Sequence, residues 1–518
     1  MFMRYVIVCI AILCFLHGSL LGQTEGQFRP SIHQRQAEFY GKMGEKSEVE
    51  WDSFNGRKSA PSAAKVTACN LTNSVYGWYP YWMGTSYTGY DFAKLSTFCY
   101  FSYDVNPTTG GYNSIHSWRT TNSIPLAHAA GCRVELCATN FGSTNNTNFL
   151  TNAVAKQTFI DSIISLLQYR NADGVNIDFE GLPSGQRNNF TAFMQTLSTQ
   201  VKNAIPGASV SMALYAVDWG NVFNIPALEP YVDEFVIMGY DYYYSGSAQA
   251  GPNSPLYSGT LWAPYNLTKS VNYYLGQGLT PSKLLTGLPY YGEEWNTAAS
   301  TYPSTNTGHI AARLYNYMEN NYAGVRPKTF DSHSQTPVYI YQSAGLWRQC
   351  WGEDVQSMAE KFDLIHHRNL GGIGIWALGY DDGHQDFWNL IEQKFTDCGP
   401  DVCADTLWDT GGPMGNYANN ENYKFTINSP NGEQIKAEFI AFNLEANYDY
   451  VYIYDGPSTA SPLIGQYSGT TIPPVAISSG DGDDFPIHDG WGDGCKRLST
   501  QMGMRRCADV WGYHSPGS

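Results

Sequence analysis

The stretch Asp173-Gly174-Val175-Asn176-Ile177-Asp178-Phe179-Glu180 decides the fold of this chain. Read as a β-strand, its side chains alternate between two faces. Asn176, Asp178 and Glu180 then point one way, and three apolar side chains point the other. Two carboxylates and an amide buried together need hydrogen-bonding partners, so the pattern indicates an active site. The alternative is an edge strand whose acids lie in water.

Helix-like and strand-like segments alternate on both sides of this stretch. Apolar residues with the 3-and-4 spacing of one-sided helices flank it directly, which makes it an interior strand. Eight strands alternating with helices predict an α/β fold, a (β/α)8 TIM barrel. A doubly wound open sheet is the alternative, but no glycine-rich phosphate loop follows the first strand. The predicted strands are 74–81, 95–103, 133–139, 173–180, 209–215, 234–240, 283–290 and 372–378.

Active-site residues of such barrels lie at the C-terminal ends of the strands. Glu180 ends the fourth predicted strand, Tyr240 and Asp241 end the sixth, and Trp376 lies near the end of the eighth. These separate positions predict one shared mouth. Six more aromatic residues are candidates either for its rim or for ordinary packing: Trp78, Tyr81, Trp82, Tyr242, Tyr291 and Trp295.

Composition restricts the partners. A formal net charge of −16 argues against nucleic acid and anionic membranes as partners. The 38 Tyr and 14 Trp exceed the usual needs of a core and suit stacking on sugar rings. No cysteine–histidine cluster has zinc-ligand spacing, and we expect neither a metal nor a cofactor. The sequence leaves the oligomeric state open.

The N-terminus predicts export. Residues 1–22 combine Arg4, an apolar run and small residues before Gln23, the pattern of a secretory signal peptide. The alternatives are an uncleaved membrane anchor and, more weakly, a lipoprotein. We therefore expect a secreted, extracellular protein without a membrane partner after signal cleavage. Export permits disulfides, and Cys398 with Cys403 is a plausible local pair.

The chain divides into five parts. Residues 23–72 are polar and aperiodic and predict a linker or propeptide without assigned structure. Residues 73–397 form the barrel, and residues 398–480 predict a β-sandwich because alternating strands are separated by Asn-Gly and Asp-Gly turns. Residues 481–518 show neither strand nor helix periodicity. We interpret them as an aberrant tail, with a truncation or a change of reading frame near Gly480 as the hypothesis.

The barrel resembles glycoside hydrolase family 18, the chitinase-like family, whose fourth strand has the form Asp-x-x-Asp-x-Asp-x-Glu. This chain has Asp173, Asn176, Asp178 and Glu180 at those positions, Met238-Gly-Tyr240-Asp241 on strand six, Gly287-Leu-Pro-Tyr-Tyr-Gly292 on strand seven and Gly371-Gly-Ile-Gly-Ile-Trp376 on strand eight. Two departures stand out. Strand three reads Thr139-Asn-Phe-Gly142 where Ser-x-Gly-Gly is frequent, and Asn176 replaces an acid, as in relatives acting on peptidoglycan-type and other N-acetylglucosamine glycans.

The second domain resembles a CUB module, in a bacterial form without the usual cysteine pairs. The stretch from Phe439 to Gly456 carries the resemblance, with Gly465 to Gly469 and Ser478 to Gly480. Glu445 and Asp449 match calcium ligands of calcium-dependent CUB modules. Their connecting loop is shorter here, and the sequence favours solvated turn acids over a calcium site.

The family resemblance implies substrate-assisted retaining catalysis, in which the substrate's 2-acetamido oxygen replaces a protein nucleophile. Glu180 is then the general acid, Asp178 accepts the acetamido N–H, and Tyr240 holds the acetamido carbonyl. Asp241, Met238 and Tyr291 border the sugar, and Trp376 is its floor. Asn176 is a further substrate-binding candidate, although it lies behind the catalytic residues; it cannot share a proton as an acid would, so Asp178 remains ionised more readily. Asp173 is interpreted as an anchor at the strand base.

The resemblance therefore implies an enzyme, a glycosidase acting on an N-acetylglucosamine-containing polysaccharide. We expect cleavage of β-1,4 bonds beside N-acetylglucosamine in chitin or related glycans. The alternatives are an N-acetylglucosaminidase acting on peptidoglycan or N-glycans, a non-catalytic chitinase-like lectin, and an adhesion protein dominated by its second domain. The joint presence of Glu180, Asp178 and Tyr240 favours the enzyme over the lectin.

Overall fold

The computed structural model describes residues 29–57, 69–400, 404–417, 421–427, 434–456, 458–479, 485–490 and 501–506. The predicted signal peptide lies outside these residues. Within the described part of the chain, no helix has the length and apolar character needed to cross a membrane.

Eight parallel strands close into a barrel, as the sequence predicts. Each strand pairs with the next along the chain, and the eighth pairs back with the first. The strands are β1 (Ser74–Pro80), β2 (Thr97–Val105), β3 (Arg133–Phe141), β4 (Gly174–Glu180), β5 (Ser209–Leu214), β6 (Glu234–Met238), β7 (Leu284–Pro289) and β8 (Gly372–Trp376). The closed pairing excludes the open doubly wound sheet.

The barrel closes where Gly372 of β8 lies opposite Ser74 of β1. A Cβ atom on Gly372 would lie 1.9 Å from the Ser74 carbonyl oxygen, so only glycine fits this approach. The glycine-rich start of β8 is thus required by closure of the sheet.

Helices surround the barrel and bury one apolar face each against it. Phe193 of the helix after β4 stacks on Phe179 with ring centroids 5.7 Å apart. This contact packs the apolar face of β4 against that helix. The helices of this domain are Ser123–Ala129, Ser143–Thr151, Ala153–Arg170, Arg187–Ala204, Ile225–Leu228, Leu267–Gly276, Tyr315–Asn321, Val355–His367 and Asp386–Phe395.

An antiparallel sheet of six strands is inserted mainly between β7 and β8 and forms one wall beside the barrel mouth. Its own apolar cluster includes Trp262, Trp295 and Trp351. The strands are Gln249–Ala250, Tyr291–Thr297, Ser304–Leu314, Lys328–Asp331, Thr336–Ser343 and Leu346–Trp351. A further short strand, Tyr112–Ser114, extends β2.

The polar segment before the barrel, to which the sequence assigns no structure, holds two helices. We call residues 29–57 the N-terminal segment; it contains α1 (Ile32–Gly41) and α2 (Glu48–Phe54). Ser31 caps α1, and Ser47 forms a capping box with Glu50 on α2. Sequence periodicity missed both helices because they are short and owe their stability to contacts with the barrel.

The C-terminal domain consists of two four-stranded antiparallel sheets. One contains Ala404–Trp408, Ile435–Ala441, Ala476–Ile477 and Gln501–Arg506; the other contains Lys424–Ile427, Tyr450–Tyr454, Leu463–Tyr467 and Phe485–Gly490. The predicted sandwich is therefore present. The last strand of each sheet lies beyond Gly480, where we expected no strand. Cross-strand pairing, which local periodicity does not report, places them there.

Among the described residues a disulfide joins Cys69 to Cys398, so the prediction of a Cys398–Cys403 pair is wrong. Closure of the barrel brings its two ends together, since Thr72 N donates to Phe395 O at 2.9 Å and Asn70 pairs with Asp397. The two cysteines are 329 residues apart in sequence. Local spacing cannot reveal a pair that depends on the whole barrel.

We expect the Cys69→Ser/Cys398→Ser double variant to lose about 2–4 kcal/mol of unfolding free energy, because the bond restricts the unfolded chain. Thermal melting followed by circular dichroism measures this loss. A reductant should lower the melting temperature of the wild type to that of the variant and leave the variant unchanged. Equal melting temperatures without reductant would contradict the prediction.

Candidate active site

The polar face of β4 points into the barrel. Asn176, Asp178 and Glu180 are 0%, 0% and 3% exposed, whereas the apolar residues between them face the helices. The alternating pattern in the sequence therefore corresponds to two buried faces. The reading of β4 as a solvated edge strand is wrong because β3 and β5 pair with it on both sides.

Glu180 lies at the C-terminal end of β4. Burial and the nearby charge of Asp178 raise the pKa of its carboxyl well above the ordinary value. Ser31 Oγ donates to Glu180 Oε1 at 2.8 Å. Behind it, Asn146 Nδ2 donates to the Glu180 carbonyl oxygen at 2.7 Å and Gly142 N donates at 2.8 Å, which fixes the backbone.

Asp178 and Tyr240 face each other across the imidazole of His33. His33 Nδ1 lies 2.8 Å from Asp178 Oδ2, and His33 Nε2 lies 2.6 Å from the Tyr240 hydroxyl. Burial, followed by the charges of Asp178 and Glu180, raises the pKa of Tyr240 well above its ordinary value, so the phenol keeps its proton. The second oxygen of Asp178 is buried and has no hydrogen-bond partner among the described residues.

Trp376 forms a flat floor beneath these residues. The His33 ring stacks on it with centroids 3.6 Å apart and an interplanar angle of 28°. Trp376 Nε1 donates to Gln36 Oε1 at 3.1 Å, and the Tyr380 hydroxyl donates to the same oxygen at 2.8 Å. Trp376 thus lies in the barrel mouth, and the N-terminal segment covers it.

Asp241 binds both the barrel and the N-terminal segment. Its Oδ1 accepts a hydrogen bond from Tyr291 at 2.7 Å, and its Oδ2 accepts one from Ile32 N at 3.0 Å. Arg35 lies 3.3 Å from Asp241 Oδ2 and 2.9 Å from Glu293 Oε1. Asp241 and Tyr291 are thus brought together at the mouth, as their strand positions predict.

Asn176 lies deeper in the barrel than the two acids. Its Oδ1 accepts from Trp78 Nε1 at 3.2 Å and from Cys137 Sγ at 3.3 Å, and its Nδ2 donates to Ser211 Oγ at 2.8 Å. These contacts place Asn176 behind the catalytic candidates and away from a ligand in the mouth.

Asp173 anchors the base of β4, as interpreted from the sequence. Its Oδ2 accepts from Val134 N at 2.7 Å and lies 2.9 Å from His128 Nε2. It therefore joins the starts of β3 and β4 and does not reach the mouth.

The aromatic candidates divide into two groups. Trp78 and Trp82 line the site, since Trp78 contacts the edge of His33 and Trp82 stacks on Tyr40 at 4.6 Å and 11°. Tyr81 stacks on His116 beside them. Tyr242 and Trp295 pack in the apolar cluster of the inserted wall, and Tyr242 also lines the cavity beside Glu180.

A cavity of about 640 Å³ remains on one side of Glu180. Met238, Tyr240 and Asp241 line it together with Tyr215 and Trp219. The predicted residue Met238 therefore borders an open volume and not the covered floor.

Comparisons with known proteins agree with this geometry. The family model "Glycosyl hydrolases family 18" matches residues 85–381, and the CUB domain model matches residues 404–483. The chain belongs to glycosyl hydrolase family 18.

Relatives of this family 18 chain include proteins named as chitinases. A probable endochitinase of Caenorhabditis elegans is 28% identical over 47% of this chain and 42% of that protein. Chitotriosidase-1 of Mus musculus is 28% identical over 48% of this chain and 58% of that protein. The chain thus spans about half the length of these curated relatives.

A solved chitinase of the plant Cycas revoluta, in complex with (GlcNAc)3, has the same fold. It is 18% identical, its TM-score is 0.56, and the match covers 62% of this chain and 99% of the plant protein. At this identity the likeness shows the fold alone.

Two groups of possible metal ligands occur among the described residues. Cys69, Asp397 and Cys398 form one, but both cysteines are in the disulfide. His33, Asp178 and Glu180 form the other, with ligand atoms within 4.8 Å of one another. Hydrogen bonds already engage both nitrogen atoms of His33.

The two acids that match calcium positions lie at a turn of the CUB domain, but they are not the solvated acids that we expected, because Asp449 is buried and Glu445 is half-buried with one carboxylate oxygen shielded from solvent. The Glu445 carbonyl oxygen accepts from Asp449 N at 3.0 Å, and Tyr417 donates to Asp449 Oδ2 at 2.5 Å. They belong to no group of three possible ligands within the described residues.

The sequence reasoning missed every site contact of the N-terminal segment. Ser31, His33, Arg35 and Gln36 all reach residues of the mouth. Their one sequence signal is the helix cap at Ser31, which predicts a helix start but not its position in the fold. Asn146 was also missed, because its role depends on the tertiary approach of its helix to Glu180.

The raised pKa of Glu180 predicts a pH-dependent stability. Folding keeps a proton on Glu180 that the unfolded chain releases above pH 4.5, so the wild type loses stability as pH rises from there towards the folded pKa. Glu180→Gln has no such loss and should gain at least about 1 kcal/mol relative to wild type between pH 4.5 and pH 8. Denaturant melts at both pH values measure it. Glu438→Gln, at an exposed position, is the control, and an equal response of the two variants would contradict the assignment.

Proposed function

We propose that this protein is a secreted glycosidase that cleaves β-1,4 bonds beside N-acetylglucosamine in chitin or related glycans by substrate-assisted retaining catalysis. One observation carries the proposal. Asp178, Glu180 and Tyr240 converge on one small volume above Trp376. His33 Nδ1 lies in it, 2.8 Å from Asp178 and 3.7 Å from Glu180. A 2-acetamido sugar stacked on Trp376 would meet all three.

The surroundings of Glu180 favour the protonated form that a general acid requires. Burial and the charge of Asp178 favour its neutral form, so it holds a proton for the glycosidic oxygen. After the first bond breaks, the same carboxylate is a base for the incoming water. Glu180 is therefore the acid in the first step and the base in the second.

Asp178 and Tyr240 would orient the acetamido group. The carboxylate of Asp178, one oxygen of which has no hydrogen-bond partner among the described residues, can accept the acetamido N–H. Its negative charge can offset the positive charge of the oxazolinium intermediate. The protonated hydroxyl of Tyr240 donates to the acetamido oxygen, which then attacks the anomeric carbon of its own sugar. No protein nucleophile is needed in this arrangement.

The names of the relatives support a chitin-type substrate, because both curated relatives cited above are named for chitinase activity. The departure at Asn176 leaves peptidoglycan and N-glycan cores as alternatives. The cavity beside Glu180 offers room for the leaving part of the glycan. The proposal includes export of the protein, and it expects no nucleic-acid partner.

The direct test is release of the chromophore from an aryl β-chitobioside. Because the N-terminal segment lies in the mouth, the assay uses a full chain with a site-specific protease sequence inserted between Arg57 and Cys69, cut before measurement. Glu180→Gln should lower kcat at least about 1,000-fold, and Tyr240→Phe about 10–100-fold. Product profiles on chitin, peptidoglycan fragments and N-glycan cores identify the substrate. Failure of the cut wild type on all of these would leave the lectin interpretation.

A second prediction concerns the acidic side of the pH profile. Asn176→Asp adds a carboxyl on the same face as Asp178, and the two acids would then titrate as a pair. We expect the acidic limb of kcat/KM to move to higher pH than in wild type. Ser211→Ala, which alters a partner of Asn176 without adding charge, is the control. An unchanged acidic limb in Asn176→Asp would contradict the role assigned to the amide.

A further inference from the structure

We propose that the N-terminal segment is an intramolecular inhibitor whose His33 occupies the place of a 2-acetamido sugar. Substrate then binds only after the segment leaves. The inference rests on the proposed function, because it concerns what the same site binds. It assigns a role to residues that have no part in the proposed reaction.

The hydrogen bonds of His33 match those expected for an acetamido group. Such a group offers one N–H donor and one carbonyl acceptor. With its proton on Nδ1, the imidazole of His33 donates to Asp178 Oδ2 at 2.8 Å and accepts at Nε2 from the Tyr240 hydroxyl at 2.6 Å. The donor and the acceptor of His33 thus contact Asp178 and Tyr240, the residues proposed to hold the acetamido N–H and the acetamido oxygen.

The stacking of His33 matches that expected for a sugar ring. Its ring lies 3.6 Å from Trp376, at an angle of 28°. A second ring of the segment, Tyr40, stacks on Trp82 at 4.6 Å and 11°. Two flat groups therefore cover two aromatic faces of the mouth, as successive sugars would.

The general acid is also engaged. Ser31 Oγ donates to Glu180 Oε1 at 2.8 Å, so a hydroxyl lies where a glycosidic or product oxygen would be. His33 is 0% exposed. A sugar cannot share this volume with the imidazole, so the segment and the substrate exclude each other at the floor.

Charged contacts hold the segment along its length. Arg35 bridges Asp241 and the fully buried Glu293. Thr85 donates to Asp52 from its backbone N at 2.9 Å and from its hydroxyl at 2.6 Å. Arg57 lies 2.9 Å from Asp382. These contacts anchor the segment beside His33 and near its C-terminal end.

Covalent connection makes this inhibitor effective. The segment precedes Cys69 in the same chain, which gives it an effective concentration on the order of millimolar. It contains no cysteine, and the disulfide lies on the barrel side of the connection. A cut between Arg57 and Cys69 therefore turns a tethered inhibitor into a separate peptide that dilution can remove.

The test uses the full chain with the inserted protease sequence described above. Activity on the aryl β-chitobioside is measured on the intact protein and after cutting followed by gel filtration. We expect at least about a 100-fold increase in activity, consistent with loss of a millimolar effective concentration. A synthetic peptide of residues 29–57 added back should inhibit competitively, and the same peptide with His33→Gly should inhibit at least about 10-fold more weakly.

Point variants in the uncut chain give an independent measurement. His33→Gly should raise activity, whereas Val49→Ala, at a position 68% exposed on α2, should not. Circular dichroism confirms that both variants are folded. Equal activity of the cut and uncut chains would overturn the inhibitor proposal while leaving the proposed glycosidase intact.

Binding distinguishes failure of the inhibitor from failure of the enzyme. Tryptophan fluorescence of the Glu180→Gln chain is titrated with the tetramer of N-acetylglucosamine, before and after cutting. Binding that appears only after the cut supports the inhibitor even when hydrolysis is not detected on any substrate. Equal binding in both states, or none in either, overturns it.

Discussion

The buried pair of carboxylates on β4 is the constraint on which the site depends. Asp178 and Glu180 lie on one face of one strand, 0% and 3% exposed, and burial without partners would be costly. Part of the cost is removed by keeping a proton on Glu180. Hydrogen bonds to Ser31 and His33 offset a further part, whereas Asp178 Oδ1 has no hydrogen-bond partner among the described residues.

The barrel fixes the surroundings of the two acids, because Asn146 donates to the backbone carbonyl of Glu180 and Tyr240 lies across His33 from Asp178. The N-terminal segment supplies Ser31 and His33, which a substrate would have to replace. Under the proposed function, the polar ring of His33 thus takes the place of a sugar beside the two buried acids.

The sequence predicted the parts that follow from local periodicity. The alternation around Asp178, the eight strands and the residues at three strand ends each required only the period of an element and the rule for parallel barrels. It failed where contacts joined distant parts of the chain. Cys398 pairs across 329 residues with Cys69, the strands beyond Gly480 are fixed by cross-strand pairing, and α1 is held by the barrel mouth.

The sequence by itself therefore determined the fold class and the polar face that carries Asp178 and Glu180, because a period of two assigns side chains to faces without any tertiary information. Only the tertiary structure decided that His33, far away in sequence, lies between Asp178 and Tyr240 on Trp376. The physical reason is that its position follows from stacking, burial and ion pairs with residues of several strands. No local pattern around His33 encodes those contacts.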